Sequence, residues 1–259
     1  VKGEQARQLF ADAQAMLDTI IKEKWLTAKA IFGFFPANSE QESIDIYTDN
    51  SRQHRALQLH HLRQQSKRPD GKPNQCLSDW IAPVGSDLND YLGGFAVTTG
   101  IGMDEHIQRF EADHDDYNSI LLKILADRLA EAFAERLHHR VRTNFWGYAA
   151  GESLDNEALI KEQYSGIRPA PGYPACPDHT EKDPLWQLLQ ADDEIGISIT
   201  ESFAMLPAAS VSGWYFAHPD SQYFGIGQID EDQVVEYAKQ KNMDLPVMRR
   251  WLAPSMRDA

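Results

Sequence analysis

From Asp104 to about Trp146 the apolar residues return at every fourth position. Tyr117, Leu121, Leu125, Leu129, Phe133, Leu137 and Val141 form one stripe, reinforced by Ile120, Ile124 and Ala132. That spacing predicts a long amphipathic helix with its stripe turned onto a sheet. A second amphipathic helix is predicted over Glu4–Lys24, where Leu9, Ala13, Met16, Leu17, Ile20 and Ile21 recur at three and four. The remaining elements must supply the sheet that these helices cover.

Strands are predicted at 28–38 and 42–49, with Ile44 and Ile46 on one face and Asp45 and Tyr47 on the other. Arg55–Leu62 continues the alternation with Leu57 and Leu59 inward, and "YLGGFAVTTG" (91–100) has the run of a buried strand. Proline and glycine mark 66–74 as a loop. Later come a helix near Leu185–Gln190, a strand over 195–200, and two strands within 210–229 around a turn at His218–Ser221. Asp230 caps a further helix, with a shorter one at Pro246–Leu252. Strands cluster and helices cluster, which predicts an α+β fold with a largely antiparallel sheet. With no repeat or low-complexity segment, residues 1–259 are expected to form one domain.

Composition limits the function classes. With 42% hydrophobic residues the chain can bury a core. A net charge of −14 argues against general nucleic-acid binding, which needs a basic footprint. No apolar run nears the roughly 18 residues of a membrane span, and the N-terminus does not have the pattern of a signal peptide. Cys76 and Cys176 lie far apart and outside any CxxC pair, so a reducing cytoplasm is the expected location. Opening at Val1 and passing almost directly into a helical pattern, the chain is expected to be a piece of something longer.

Few constellations promise chemistry. Asp127, Glu131 and Glu135 lie four apart on the polar side of the long helix. Like charges at that spacing repel, so the row suits either a cationic neighbour or a solvated face. Glu135 and His139, with His138 adjacent, resemble half of a helical metal site, but a full site needs three or four ligands. "GIG" (100–102) lacks the third glycine of a dinucleotide turn, and no nucleophile elbow or Walker loop is present.

One loop stands out. "GIRPAPGYPACPDHTEK" (166–182) carries Pro169, Pro171, Pro174 and Pro177. Each proline fixes φ near −65° and removes a donor, and each presses its predecessor into extended backbone. Arg168, Ala170 and Tyr173 are thereby offered in a preset geometry. Arg168 is suited to clamp a carboxylate, and Tyr173 to offer a ring face and a hydroxyl. A rigid connector tucked along the sheet would have the same composition.

This loop, "TESFAMLPAASVSGWYFAHPDSQYF" (200–224), "RRWLAP" (249–254) and "HDDYNSILLKILADRLAEAFAERLHHRVR" (114–142) resemble the C-terminal activation domain of cobalamin-dependent methionine synthase. The resemblance covers nearly the whole chain. It implies a single C-shaped α+β domain with a twisted antiparallel sheet, flanking helices and one long helix. The implied parent is modular, with homocysteine, methyltetrahydrofolate and cobalamin modules, and it needs zinc and cobalamin outside this domain. The domain itself is implied to bind S-adenosylmethionine and supply its methyl group when oxidised cobalamin is reactivated, with flavodoxin giving the electron.

By the same resemblance, Arg168 holds the ligand's carboxylate, Ala170 and Tyr173 line its nucleotide and amino-acid portions, and Tyr223 with Phe224 lies beside it. Glu131 and Glu162 are the implied acidic lining. A further aspartate of the family's site is expected upstream of the segment matching Val1. The cobalamin module and flavodoxin are the implied partners, and "RLHHRVR" (Arg136–Arg142) is either a docking surface for one of them or an ordinary solvated helix end. The competing expectation is an interaction domain that caps the cobalamin module without binding nucleotide. An independent methyltransferase fits less well, since its common fold alternates βα units around a glycine-rich turn.

Overall fold

The computed structural model describes residues 2–257. Its elements run α1 (Lys2–Glu23), β1 (Thr27–Glu40), β2 (Ser43–Tyr47), β3 (Arg55–His60), β4 (Asp90–Ile101), α2 (Met103–Ala112), α3 (Asp116–Arg140) and α4 (Asn156–Ile160). There follow α5 (Lys182–Leu189), α6 (Ala191–Ile195), β5 (Ser198–Ile199), β6 (Met205–Leu206), β7 (Ser210–Tyr215), α7 (Glu231–Gln240) and α8 (Leu245–Leu252). Five strands bond in the order β3-β2-β1-β4-β7, and β5 pairs with β6. β2 is antiparallel to both β1 and β3. The architecture is α+β, with flanking helices and one long helix, α3, of 25 residues. No helix among the described residues is long and apolar enough to cross a membrane.

The chain divides into two compact units. The first gathers the described residues up to Ile31 with Ala96–Leu137 and Ala191–Val211. Its core joins Met16 and Ile20 of α1 to Met103, Ile107, Leu121, Leu122 and Ala126, with Trp25 and Phe110 at the margin. Trp25 stacks on His106 at 4.3 Å. Gly102 turns the chain from β4 into α2 at φ +93, and a Cβ there would lie 2.6 Å from the Trp25 carbonyl oxygen, so only glycine fits.

The second unit holds Phe32–Phe95, His138–Gln190 and the described residues from Ser212. Ile44, Ile46 and Leu59 are fully buried in β2 and β3, as alternation predicts. Asp45 is buried too, because Arg55 and Gln58 of β3 donate to it at 3.1 and 2.8 Å. A second cluster packs α7 and α8 through Val234, Tyr237, Met248 and Leu252 onto Leu62, Ile226 and Ile229.

Some elements differ from expectation. The periodic stretch 104–146 is two helices, broken where His114 takes φ +57 and Asp115 accepts from the Asn118 N–H at 3.0 Å. Tyr117, Ile120 and Ile124 are exposed. Leu121, Leu137 and Val141 of the expected stripe are buried, with Leu125, Leu129 and Phe133 half-buried, and the adjoining row Leu122, Ala126, Ala130, Ala134 and His138 is buried deepest. Small side chains there permit a close approach, and the Thr99 hydroxyl of β4 donates to the Ala126 carbonyl at 2.7 Å. Leu9 and Ile21 of α1 are exposed. Of 195–200, Ile195 ends α6 and only Ser198–Ile199 is strand, and 223–229 forms no second strand beside β7.

Candidate functional site

The proline loop lies along β7. Ile167 and Phe216 exchange both backbone bonds at 3.0 Å, and the Trp214 N–H donates to the Pro169 carbonyl at 2.9 Å. A tight turn follows, closed by Gly172 N–H to Cys176 O at 2.7 Å, and the Ile226 N–H reaches Pro174 O at 2.9 Å. Gly213 permits the approach: a Cβ there would stand 2.7 Å from the Pro169 carbonyl oxygen and 3.3 Å from the Ala170 Cβ. Gly166 starts the loop at φ +83, with its would-be Cβ 2.6 Å from both the Phe216 carbonyl oxygen and the Tyr148 hydroxyl. The loop is therefore tucked along the sheet and also holds its outward groups in place.

Arg168 is clamped from two sides. Its backbone N–H donates to the Tyr223 hydroxyl at 3.0 Å, and its guanidinium donates to the Tyr164 hydroxyl at 3.1 Å. The two hydroxyls are 3.1 Å apart and hydrogen-bonded, which closes a ring through Arg168, Tyr223 and Tyr164. The same guanidinium nitrogen lies 3.4 Å from His138 Nδ1.

Aromatic rings build the floor. Phe95 stacks on Tyr215 at 4.5 Å, Tyr215 on His138 at 5.1 Å, and Tyr164 meets His138 edge-on at 5.2 Å. Beneath Tyr164, the Arg142 guanidinium lies 4.3 Å from the ring centroid. Arg142 is itself buried and held by Glu152 through two bonds of 2.9 and 2.6 Å. It is delivered by the π-helical turn 141–145 that ends α3, a local widening that recurs at functional sites. Burial holds His138 well below the usual imidazole range, and Arg142 and Arg168 push it further in that direction. Burial likewise raises the Tyr164, Tyr148 and Tyr215 phenols.

Of the expected site residues, Arg168 and Tyr223 meet directly. Ala170 is half-buried over Gly213, and Tyr173 is exposed at the turn. Phe224 packs towards the α7–α8 cluster, away from its neighbour's hydroxyl bonds. Glu162 is exposed after α4 at φ +53, near enough to contribute to the raised Tyr164 phenol. Glu131 belongs to the other unit, exposed on α3 in a shallow groove with Asp127, Arg128 and Ser210. The solvated or docking character expected across Arg136–Arg142 is overturned at His138 and Arg142, which are buried. Sequence reasoning missed Tyr164, His138, Arg142 and Glu152. For His138 and Arg142 the signal was register, since they continue the spacing of four from Ala130 and Ala134.

Comparison with known proteins meets the geometry at this point. The family model for the activation domain of vitamin B12 dependent methionine synthase matches residues 1–242. The chain belongs to that family. A crystal structure of the MetH reactivation domain bound to AdoHcy is 54% identical to it, with a TM-score of 0.95. The similarity covers 100% of this chain and 79% of that one. The chain's fold and its whole-length match place it within a cobalamin-dependent methyltransferase.

Proposed function

We propose that this chain is one reactivation module of a larger methionine synthase and that it binds S-adenosylmethionine against the proline loop. The observation that carries the reading is the closed ring fixing Arg168, taken with the relative solved bound to AdoHcy. S-adenosylmethionine supplies, when bound, a methyl group activated on a sulfonium, destined for reduced cobalamin on another module, with flavodoxin as electron donor. The chain's own residues then bind and orient. Arg168 takes the carboxylate through charge-assisted bonds. Ala170, Tyr173 and Tyr223 line the remainder, and Glu162 favours the positive sulfur. No base or nucleophile is required of this domain, since holding reacting groups in line is itself a large catalytic term. The cobalamin module and flavodoxin are the partners, and the isolated chain binds without turnover.

Calorimetric titration with S-adenosylmethionine, against S-adenosylhomocysteine as the neutral-sulfur control, tests this. Binding that favours the sulfonium form is expected. Arg168→Ala removes two charge-assisted bonds worth roughly 3–6 kcal/mol, at least about a hundredfold in affinity, with unchanged circular dichroism. A folded chain that binds neither compound would redirect the assignment to an interaction domain capping the cobalamin module.

A further inference from the structure

We infer that His138 is a positioning residue for ligand binding: its neutral ring, through Nδ1, sets the direction of the Arg168 guanidinium and so the preference for a ligand bearing a carboxylate. This rests on the proposed S-adenosylmethionine site and adds a residue to it.

The geometry runs in one direction. An arginine guanidinium carries only donors, so the Arg168 nitrogen 3.4 Å from His138 Nδ1 needs a lone pair there. The proton of the neutral ring is therefore on Nε2, which faces the Tyr148 hydroxyl at 3.5 Å. That tautomer leaves both ring nitrogens directed at a partner. The imidazole plane is fixed by the Tyr215 stack, only 11° from parallel, and by the Tyr164 edge. With 0% of its surface exposed, His138 has no room to turn.

Tyr164 gives Arg168 a second contact at 3.1 Å and is itself held over Arg142. His138 and Tyr164 together fix the guanidinium nitrogen from two directions. Burial and the two neighbouring arginines keep the imidazole uncharged, without which it would repel Arg168. None of this resembles a surface histidine pair or a metal site, and α3 delivers the ring from the same small-residue stripe that packs the helix.

The test uses the full chain and two ligands, S-adenosylmethionine and its decarboxylated analogue. In the unaltered chain the carboxylate-bearing ligand binds more tightly. His138→Leu is expected to reduce that ratio about tenfold, the loss of one well-oriented charged bond, while affinity for the decarboxylated ligand changes little. His138→Asn, whose amide oxygen can take the place of Nδ1, is expected to recover part of the ratio. Leucine and Arg168→Ala combined should lower the ratio no further than Arg168→Ala alone.

Equal losses for both ligands in His138→Leu would make the residue merely structural and overturn the inference. Should the leucine variant not fold, the nitrogen-15 shifts of the unaltered chain decide, with Nδ1 expected bare and Nε2 protonated. The opposite tautomer overturns the assignment. An unaltered chain that binds but ignores the carboxylate removes Arg168 from its role, and this inference with it. One that binds neither ligand overturns the proposed function itself.

Discussion

Gly213→Ala is the substitution that most directly questions the close approach of the proline loop to β7. Gly213 has a strand conformation open to alanine, so space is the only objection. The added Cβ would lie 2.7 Å from the Pro169 carbonyl oxygen, 3.1 Å from the Phe95 ring and 3.3 Å from the Ala170 Cβ. The carbonyl must retreat by at least about 0.5 Å to reach ordinary contact. It cannot do so freely, because the same oxygen accepts from the Trp214 N–H at 2.9 Å. Overpacking of this kind costs about 1–3 kcal/mol, and weakening the Trp214 bond adds up to about 1 kcal/mol. Alanine returns about 0.4–1 kcal/mol by restricting the unfolded chain.

The expected net destabilisation is therefore about 1–3 kcal/mol, read from the urea midpoint by tryptophan fluorescence, to which the fully buried Trp214 contributes. Because Arg168 and Ala170 flank Pro169, S-adenosylmethionine affinity should fall about tenfold, one charged bond's worth. A midpoint equal to or above that of the unaltered chain would show that loop and strand are not in this contact. The account of a loop preset by β7 would then fail.

Other substitutions probe separate parts. Glu152→Gln leaves Arg142 buried without its counter-charge and should cost about 3–5 kcal/mol; thermal unfolding measures this, and a loss below about 1 kcal/mol would contradict the burial of the pair. Tyr223→Phe opens the Arg168 ring and should weaken S-adenosylmethionine about three- to tenfold, whereas an identical isotherm would assign Tyr223 to packing alone. Ala126→Leu fills the close contact of α3 with Thr99 and should destabilise by about 1–3 kcal/mol in urea.

Glu181 gives a pH signature. Burial pushes its carboxyl up to about 7, against the opposing pull of Lys241 at 2.6 Å. The folded state then binds more protons than the unfolded state between the ordinary glutamate range and about 7, so this group's contribution to stability falls as pH rises through that window. Denaturation at pH 5 and pH 7.5 should show the decline flattened in Glu181→Gln. An equal slope in both proteins would refute it.

How much of this was legible follows from which physical signals a sequence carries. Alternation at Ile44, Ile46, Leu57 and Leu59 was enough for β2 and β3, because one-sided burial writes itself into a period of two. The α3 face was read from its large apolar residues, and the deeper alanine row beside them went unseen. Where the Thr99 hydroxyl must touch a helix carbonyl, alanine is selected and leucine is displaced to the flank. The break at 113–115 was hidden because no glycine or proline marks it, and Asp115 ends the interruption with its own side chain. His138 and Arg142 looked like a charged helix end until their register with Ala130 and Ala134 was seen in three dimensions. Their partners, Tyr164 and Glu152, come from a segment whose irregular backbone leaves no periodic trace.

On the proposed reading the domain contributes by binding and orienting, and that bears on why so many of its polar groups are buried. A free arginine side chain carries about 2 kcal/mol of rotamer entropy. If Arg168 surrendered it on meeting the ligand, affinity would suffer about thirtyfold by the tenfold-per-1.4 kcal/mol rule. The ring through Tyr164 and Tyr223 settles Arg168 during folding, so the entropy is lost before the ligand arrives. Folding must then supply it, together with the desolvation of Arg142 and Glu152. Stacked rings of Phe95, Tyr215 and His138 are well suited to that task, since they bury much area with few rotatable bonds. Stability and recognition thus draw on the same side chains, and substitutions beneath Arg168 should change both together unless they spare its acceptors.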